Sequence, residues 1–171
     1  MELSGYFRSL FEYDAWANRQ VLNAAALLSE EQLARPLNQS WGSVRGLLVH
    51  MMSAQWVWLN RLNGESPAGM LKEADFQTLA AIEARWKTIQ AGLHEYLLSQ
   101  DAASLSREIH YANTRGQAFH LPAWQILAHL ANHGTHHRGE LATAFQALGV
   151  AHSEEDYLFF TLEISGQRPN P

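Results

Sequence analysis

The stretch His129-Leu130-Ala131-Asn132-His133-Gly134-Thr135-His136-His137-Arg138-Gly139-Glu140 gathers four of the chain's nine histidines. Imidazole is the commonest protein ligand for a metal ion and a common acid or base. On an α-helix, residues four apart stand one turn above another. His129, His133 and His137 therefore form a row that drifts by ~40° per step, with His136 about 100° away from His137. From His129 to His137 the row spans ~12 Å along the axis, whereas zinc binds imidazole nitrogen at ~2.0–2.1 Å. One ion takes an adjacent pair far more easily than the whole row. His133 belongs to either pair, with His129 or His137 as the second member. Glu140, three residues past His137, projects to the same side and favours His133 with His137. It can serve as a base, as an acceptor for a ligand's second nitrogen, or as a fourth ligand. Arg138 is a candidate partner for an anionic substrate, or for a carboxylate on a neighbouring helix. Gly134 and Gly139 each cost a helix ~1 kcal/mol against alanine. That cost is understandable if backbone or substrate must approach closely there. The alternative is that the HxxxH pattern is a solvated helix face.

A third ligand has to come from another element. His50, His94, His110, His120 and His152 are the candidates. His50 stands out, because Leu47, Ala54 and Val57 share its face within a strongly apolar segment. A buried polar group without a partner costs about 1–3 kcal/mol, so such an imidazole needs either a metal or an acceptor such as Asp14. Cysteine is absent. That excludes disulfides, thiolate zinc sites, protein-ligated iron–sulfur clusters and a cysteine nucleophile.

The elements that must position these residues are helical almost throughout. Leu3, Phe7, Leu10, Ala17, Val21, Ala24 and Leu28 mark a first helix over Glu2–Leu28, with Asp14 interrupting its stripe. Ser29 opens a short helical turn that Arg35-Pro36 stops. Ser40 or Ser43 caps a second long helix running to Asn63. Residues 64–69 form a loop, and a third helix covers Asp75–Ser99. The segments 107–112 and 117–121 flank Asn113-Thr114-Arg115-Gly116 and read as a small β-hairpin. Pro122 fits the first turn of a fourth long helix, which ends near Leu148 before Gly149. A short last helix spans Glu154–Ile164, and the tail 167–171 is expected to fray. With 171 residues, 47% of them hydrophobic, this is one domain over 1–171. The fold class is all-α: a four-helix bundle with a small hairpin before its fourth long helix and a short C-terminal helix.

Twelve basic against seventeen acidic residues give a net charge of −5. No stretch concentrates the basic ones, which argues against nucleic acid and against an anionic membrane surface. No apolar run is long enough to span a bilayer. The N-terminus lacks the features of a signal peptide, so a soluble cytoplasmic protein is expected.

These residues together resemble the DinB/YfiT-like family of metal-dependent proteins over nearly the whole chain. Tyr13-Asp14-Ala15-Trp16-Ala17-Asn18 matches the first-helix motif. Gly42-Ser43-Val44-Arg45 through His50, leading to Trp58-Leu59-Asn60-Arg61-Leu62, matches the second. Asn132-His133-Gly134-Thr135-His136-His137-Arg138-Gly139 is the third and most specific. The resemblance implies an up-down-down-up bundle and a homodimer. It also implies a metal held by one histidine of the second long helix and two of the fourth, here His50, His133 and His137. The family often has Gln where this chain has Glu140, and an amide cannot act as a base. The implied cofactor is a divalent ion, Zn or Ni by the usual order of imidazole affinities. The implied activity is thiol-dependent S-transferase or isomerase chemistry on a small electrophile, with a low-molecular-weight thiol as cosubstrate. Metal-dependent hydrolysis, or a non-enzymatic metal- or ligand-binding bundle of a stress response, is the alternative. A di-iron carboxylate site is disfavoured, because it needs Glu-x-x-His on two helices and no long helix here carries that motif.

Overall fold

The computed structural model describes residues 2–152 and 155–168. The apolar stripes become four long helices: α1 (Leu3–Ala25), α3 (Val44–Leu62), α4 (Leu79–Leu98) and α6 (Ala123–Ala147). Short helices α2 (Glu30–Ala34) and α5 (Ala102–Ser106) lie in the connections, and α7 (Tyr157–Ile164) follows the bundle. Strands β1 (Glu108–Ala112) and β2 (Ala118–Pro122) pair antiparallel, with Glu108 opposite Pro122 and His110 opposite His120.

Capping chemistry sets several boundaries. The Ser43 hydroxyl accepts from Gly46 N–H, so Ser43 rather than Ser40 starts α3. Thr78 does the same for Ala81 N–H at the start of α4. That helix therefore begins later than the expected Asp75, and Glu73–Asp75 form a separate 3-10 turn. The first helix ends at Ala25 rather than Leu28. Pro122 is not in the first turn of α6. It is the last strand residue, with an extended ψ of 144°, and the helix starts one residue later. Asp101 and Ser104 form a reciprocal cap that nucleates α5, an element the periodicity does not reveal. The last helix starts at Tyr157 rather than Glu154; Ser153 and Glu154 lie outside the described residues. Gln167 and Arg168 are not frayed, since both N–H groups donate to Leu162 C=O. Residues 169–171 lie outside the described residues.

Side-chain contacts fix the direction of each helix. Arg8 at the start of α1 donates to Leu97 C=O at the end of α4, so these two run antiparallel. Gln55 meets Trp86, and Leu59 lies against Gly92, so α3 and α4 run parallel. His50 meets His137, while Trp58 further along α3 meets His129 further back on α6, so α3 and α6 run antiparallel. The four helices pack in the ring α1–α4–α3–α6. The result is the up-down-down-up bundle. The parallel α3–α4 pair requires a long return, which residues 63–78 supply.

Trp86, Phe7, Phe145, Ile82, Leu47 and Met52 fill the core. A polar network crosses it. Arg138 Nη1 donates to Asp14 Oδ1 at 2.7 Å and to Asn18 Oδ1 at 2.9 Å. Gln55 Nε2 donates to Asp14 Oδ2 at 2.6 Å, and Gln55 Oε1 accepts from Trp86 Nε1 at 2.7 Å. Every long helix contributes a member, so the network fixes how the helices register against one another.

Candidate metal centre

The same register brings three histidines together. His50 stands in the second turn of α3, and His133 and His137 stand on the facing side of α6. His50 Nε2 lies 3.0 Å from His133 Nε2 and 3.1 Å from His137 Nε2. The three nitrogens form a group that can hold one metal ion. Tetrahedral donors at ~2.0–2.1 Å from zinc stand about 3.3–3.4 Å apart, so His50 Nε2 needs to move from either neighbour by only a few tenths of an ångström.

Two of the rings, His137 and His50, are held by neighbours outside the group. His137 Nδ1 donates to Glu140 Oε2 at 2.6 Å, and Ser40 Oγ donates to the same oxygen at 2.8 Å. This bond places the proton of a neutral His137 on Nδ1 and leaves the Nε2 lone pair facing the group. Partial burial works to raise the Glu140 pKa, but the hydrogen bonds from His137 and Ser40 prevail and hold it below the usual range. Trp41 stacks on His50, with ring centroids 3.9 Å apart and planes 12° apart. His50 Nδ1 is buried and has no hydrogen-bond partner. The acceptor expected for it at Asp14 is not there, because Asp14 is engaged by Arg138, Asn18 and Gln55.

Electrostatics keep His50 and His133 neutral. Burial pushes the His50 pKa down to about 4, and the neighbouring His137 adds to the shift. Burial and the same neighbour push His133 down to about 3. At neutral pH both are uncharged, as ligation requires. Lone pairs facing one another at 3 Å repel unless a proton or a cation lies among them.

The remaining sequence candidates lie elsewhere. His129 contributes no nitrogen to the group; it packs edge-on against Trp58. His110 and His120 face each other across the exposed hairpin. His152 packs near Phe145, and His94 lines a separate cleft. His136 is exposed, and with His137 and Glu140 it forms a second group within ligating distance. Arg138 is not positioned to meet an anionic substrate, because its guanidinium is buried against Asp14. Gly134 makes room for that ion pair rather than for substrate. A Cβ there would meet Asp14 Oδ1 at 2.7 Å and Arg138 Nη1 at 2.9 Å. Gly139 faces open space. Ser40 and Trp41 escaped sequence reasoning, for they sit in an irregular loop and reach the site only through tertiary contacts.

The comparisons with known proteins agree with this picture. The family model described as the DinB family matches residues 1–167. The chain belongs to the DinB family. Protein DinB of Bacillus subtilis (strain 168) is 26% identical over 167 residues, covering 93% of this chain and 97% of that protein. The DinB match thus runs through α1, α3 and α6, the helices that carry the three motifs and the histidine group.

Proposed function

We propose that this DinB protein is a divalent-metal-dependent enzyme with His50, His133 and His137 as its metal ligands. The observation that carries the proposal is the convergence of the His133 and His137 Nε2 atoms within 3.1 Å of His50 Nε2. The donor set fits zinc or nickel, the borderline ions that imidazole prefers. An ion bound there would supply Lewis acidity to a thiol or water beside it. Glu140 would act as a positioning residue, holding the His137 proton on Nδ1 so that Nε2 stays available. Trp41 would cover one face of His50 and exclude water from it.

Three neutral ligands from two helices leave the charge of a divalent ion uncompensated, which suits an anionic partner. We assign that partner as the thiolate of a low-molecular-weight cosubstrate, as the family resemblance implies; with no cysteine in the chain, the thiol would come from that cosubstrate. The reaction would be S-transfer to, or isomerisation of, a small electrophile. Elemental analysis of untagged protein, followed by a screen pairing thiols with electrophiles, tests this reading. The expected result is one equivalent of Zn or Ni per site and turnover only with added thiol. Turnover without thiol would establish hydrolysis instead. A cobalt-substituted protein whose spectrum ignores both thiols and azide would overturn the enzyme assignment.

A further inference from the structure

A second polar cleft lies toward the other end of α3. Arg61 stands on that helix eleven residues beyond His50, roughly 16 Å along the axis. The cleft has a volume of about 740 Å³ and opens between the C-terminal turns of α3 and α4 and the start of β1. Arg61, Tyr96 and Arg107 line it, with Glu95, Ser99 and Glu108 in the same wall.

Two of these polar side chains are more than nine-tenths buried. Arg61 is 6% exposed and Tyr96 is 8% exposed. Arg61 Nε is buried without a hydrogen-bond partner, and the buried Tyr96 hydroxyl has only the Arg107 side chain beside it. The other buried arginines of this chain are paired with carboxylates, Arg45 with Glu30 and Arg138 with Asp14. Among the described residues no carboxylate lies within ion-pair distance of Arg61. Its guanidinium lies instead 4.4 Å from the Trp58 ring centroid and 4.8 Å from that of Tyr111. Aromatic faces attract the cation, but they offer no lone pair in the plane where guanidinium N–H groups point.

We propose that this cleft binds a small organic anion, whose carboxylate or phosphate is received by Arg61 with Tyr96 and Arg107 as further donors. The planar fork of a guanidinium matches the paired oxygens of either group. The two adjacent aromatic rings restrict the orientation of that fork before the ligand arrives, so less order is lost on binding. Arg107 lies beside Tyr96 and adds a second positive charge. Glu95 and Glu108 disfavour a second anionic group on the ligand, so the site selects one with a single carboxylate or phosphate.

The test is a titration of the full-length protein with butyrate and, separately, with inorganic phosphate at constant ionic strength. The Arg61 Nε–H resonance is followed by NMR. A saturable shift with one of the two is expected, and the probe that gives it distinguishes a carboxylate ligand from a phosphate ligand. Arg61→Met keeps the packing against the rings and should weaken binding roughly tenfold or more. Should that variant fail to fold, Tyr96→Phe carries the same comparison, with a several-fold loss expected from removal of the hydroxyl alone. No saturable shift with either probe would overturn the proposal, as would unchanged affinity in the folded variants, and Arg61 would then be a packing cation only.

Discussion

Because burial holds His50 and His133 neutral, the metal-free protein should be sensitive to acid. Both side chains have folded-state pKa values below the ordinary 6.5, at about 4 and about 3. The unfolded chain therefore binds protons first as pH falls. The stability contributed by the two neutral rings is present in full above about 6.5. It is lost as pH falls from there toward about 4 and then about 3. Urea unfolding at pH 7.5 and pH 4.5 should show a clear drop in midpoint for the wild type and a smaller drop for His133→Gln. An equal drop in both would separate acid sensitivity from this histidine. Glu140 gives a second prediction at the same scale. It bonds His137 and Ser40. Glu140→Ala should weaken metal binding by about 10–100-fold, the usual effect of losing a ligand's outer partner. Glu140→Gln keeps an acceptor and should bind within a few-fold of wild type in a competitive chelator titration.

Whole helices are held in register by the buried Asp14–Arg138 pair, so its loss should be felt beyond the two residues. Both side chains are 3% exposed, and each also hydrogen-bonds another buried group. Asp14→Ala leaves the guanidinium uncompensated and should cost about 3–5 kcal/mol in denaturant unfolding. Adding Arg138→Met to that variant should recover part of the loss, because the stranded charge is gone. Arg138 follows His137 directly on α6, so the single variant should also bind metal more weakly, and a double-mutant cycle reads both effects. Gly134 belongs to the same element-scale argument. Helix propensity alone favours alanine at that position. The contacts at 2.7 and 2.9 Å decide otherwise, and Gly134→Ala should destabilise by displacing the ion pair.

The bundle as a whole should not need its metal to fold. Its core is apolar and continuous across the four long helices, from Phe7 and Val21 through Leu47, Ile82 and Trp86 to Phe145. Chelation should therefore leave the far-ultraviolet dichroism of the protein intact. Metal in excess still binds only the folded form. At a free concentration of 100 times Kd it adds about 2.7 kcal/mol, which for a chain of this size raises Tm by roughly 5–10 °C. A loss of helical signal on chelation would show that the ion is structural and that the packing account is incomplete.

Periodicity and local chemistry made most of this molecule legible. The apolar stripes, Ser43 and Gly149 placed the long helices to within a few residues. The i, i+4 spacing placed His133 and His137 on one face because helix geometry is local, and His50 stood out because a lone imidazole in an apolar stripe needs a partner. Other features depend on residues far apart in sequence, and only the packed chain decides them. Arg138 looked available for substrate until α1 brought Asp14 against it. Gly134 looked like room for a ligand, yet the space is filled by that same pair. On the helix itself both His129 and His137 were open to His133, with Glu140 favouring His137. The choice fell to His137 because α3 crosses α6 antiparallel, with His50 at that level and Trp58 opposite His129. Trp41 and Ser40 carried no periodic signal at all. Their roles arise where the α2–α3 loop folds over α6, a placement set by tertiary hydrogen bonds from Gln39 to Thr143 and from Ser40 to Glu140.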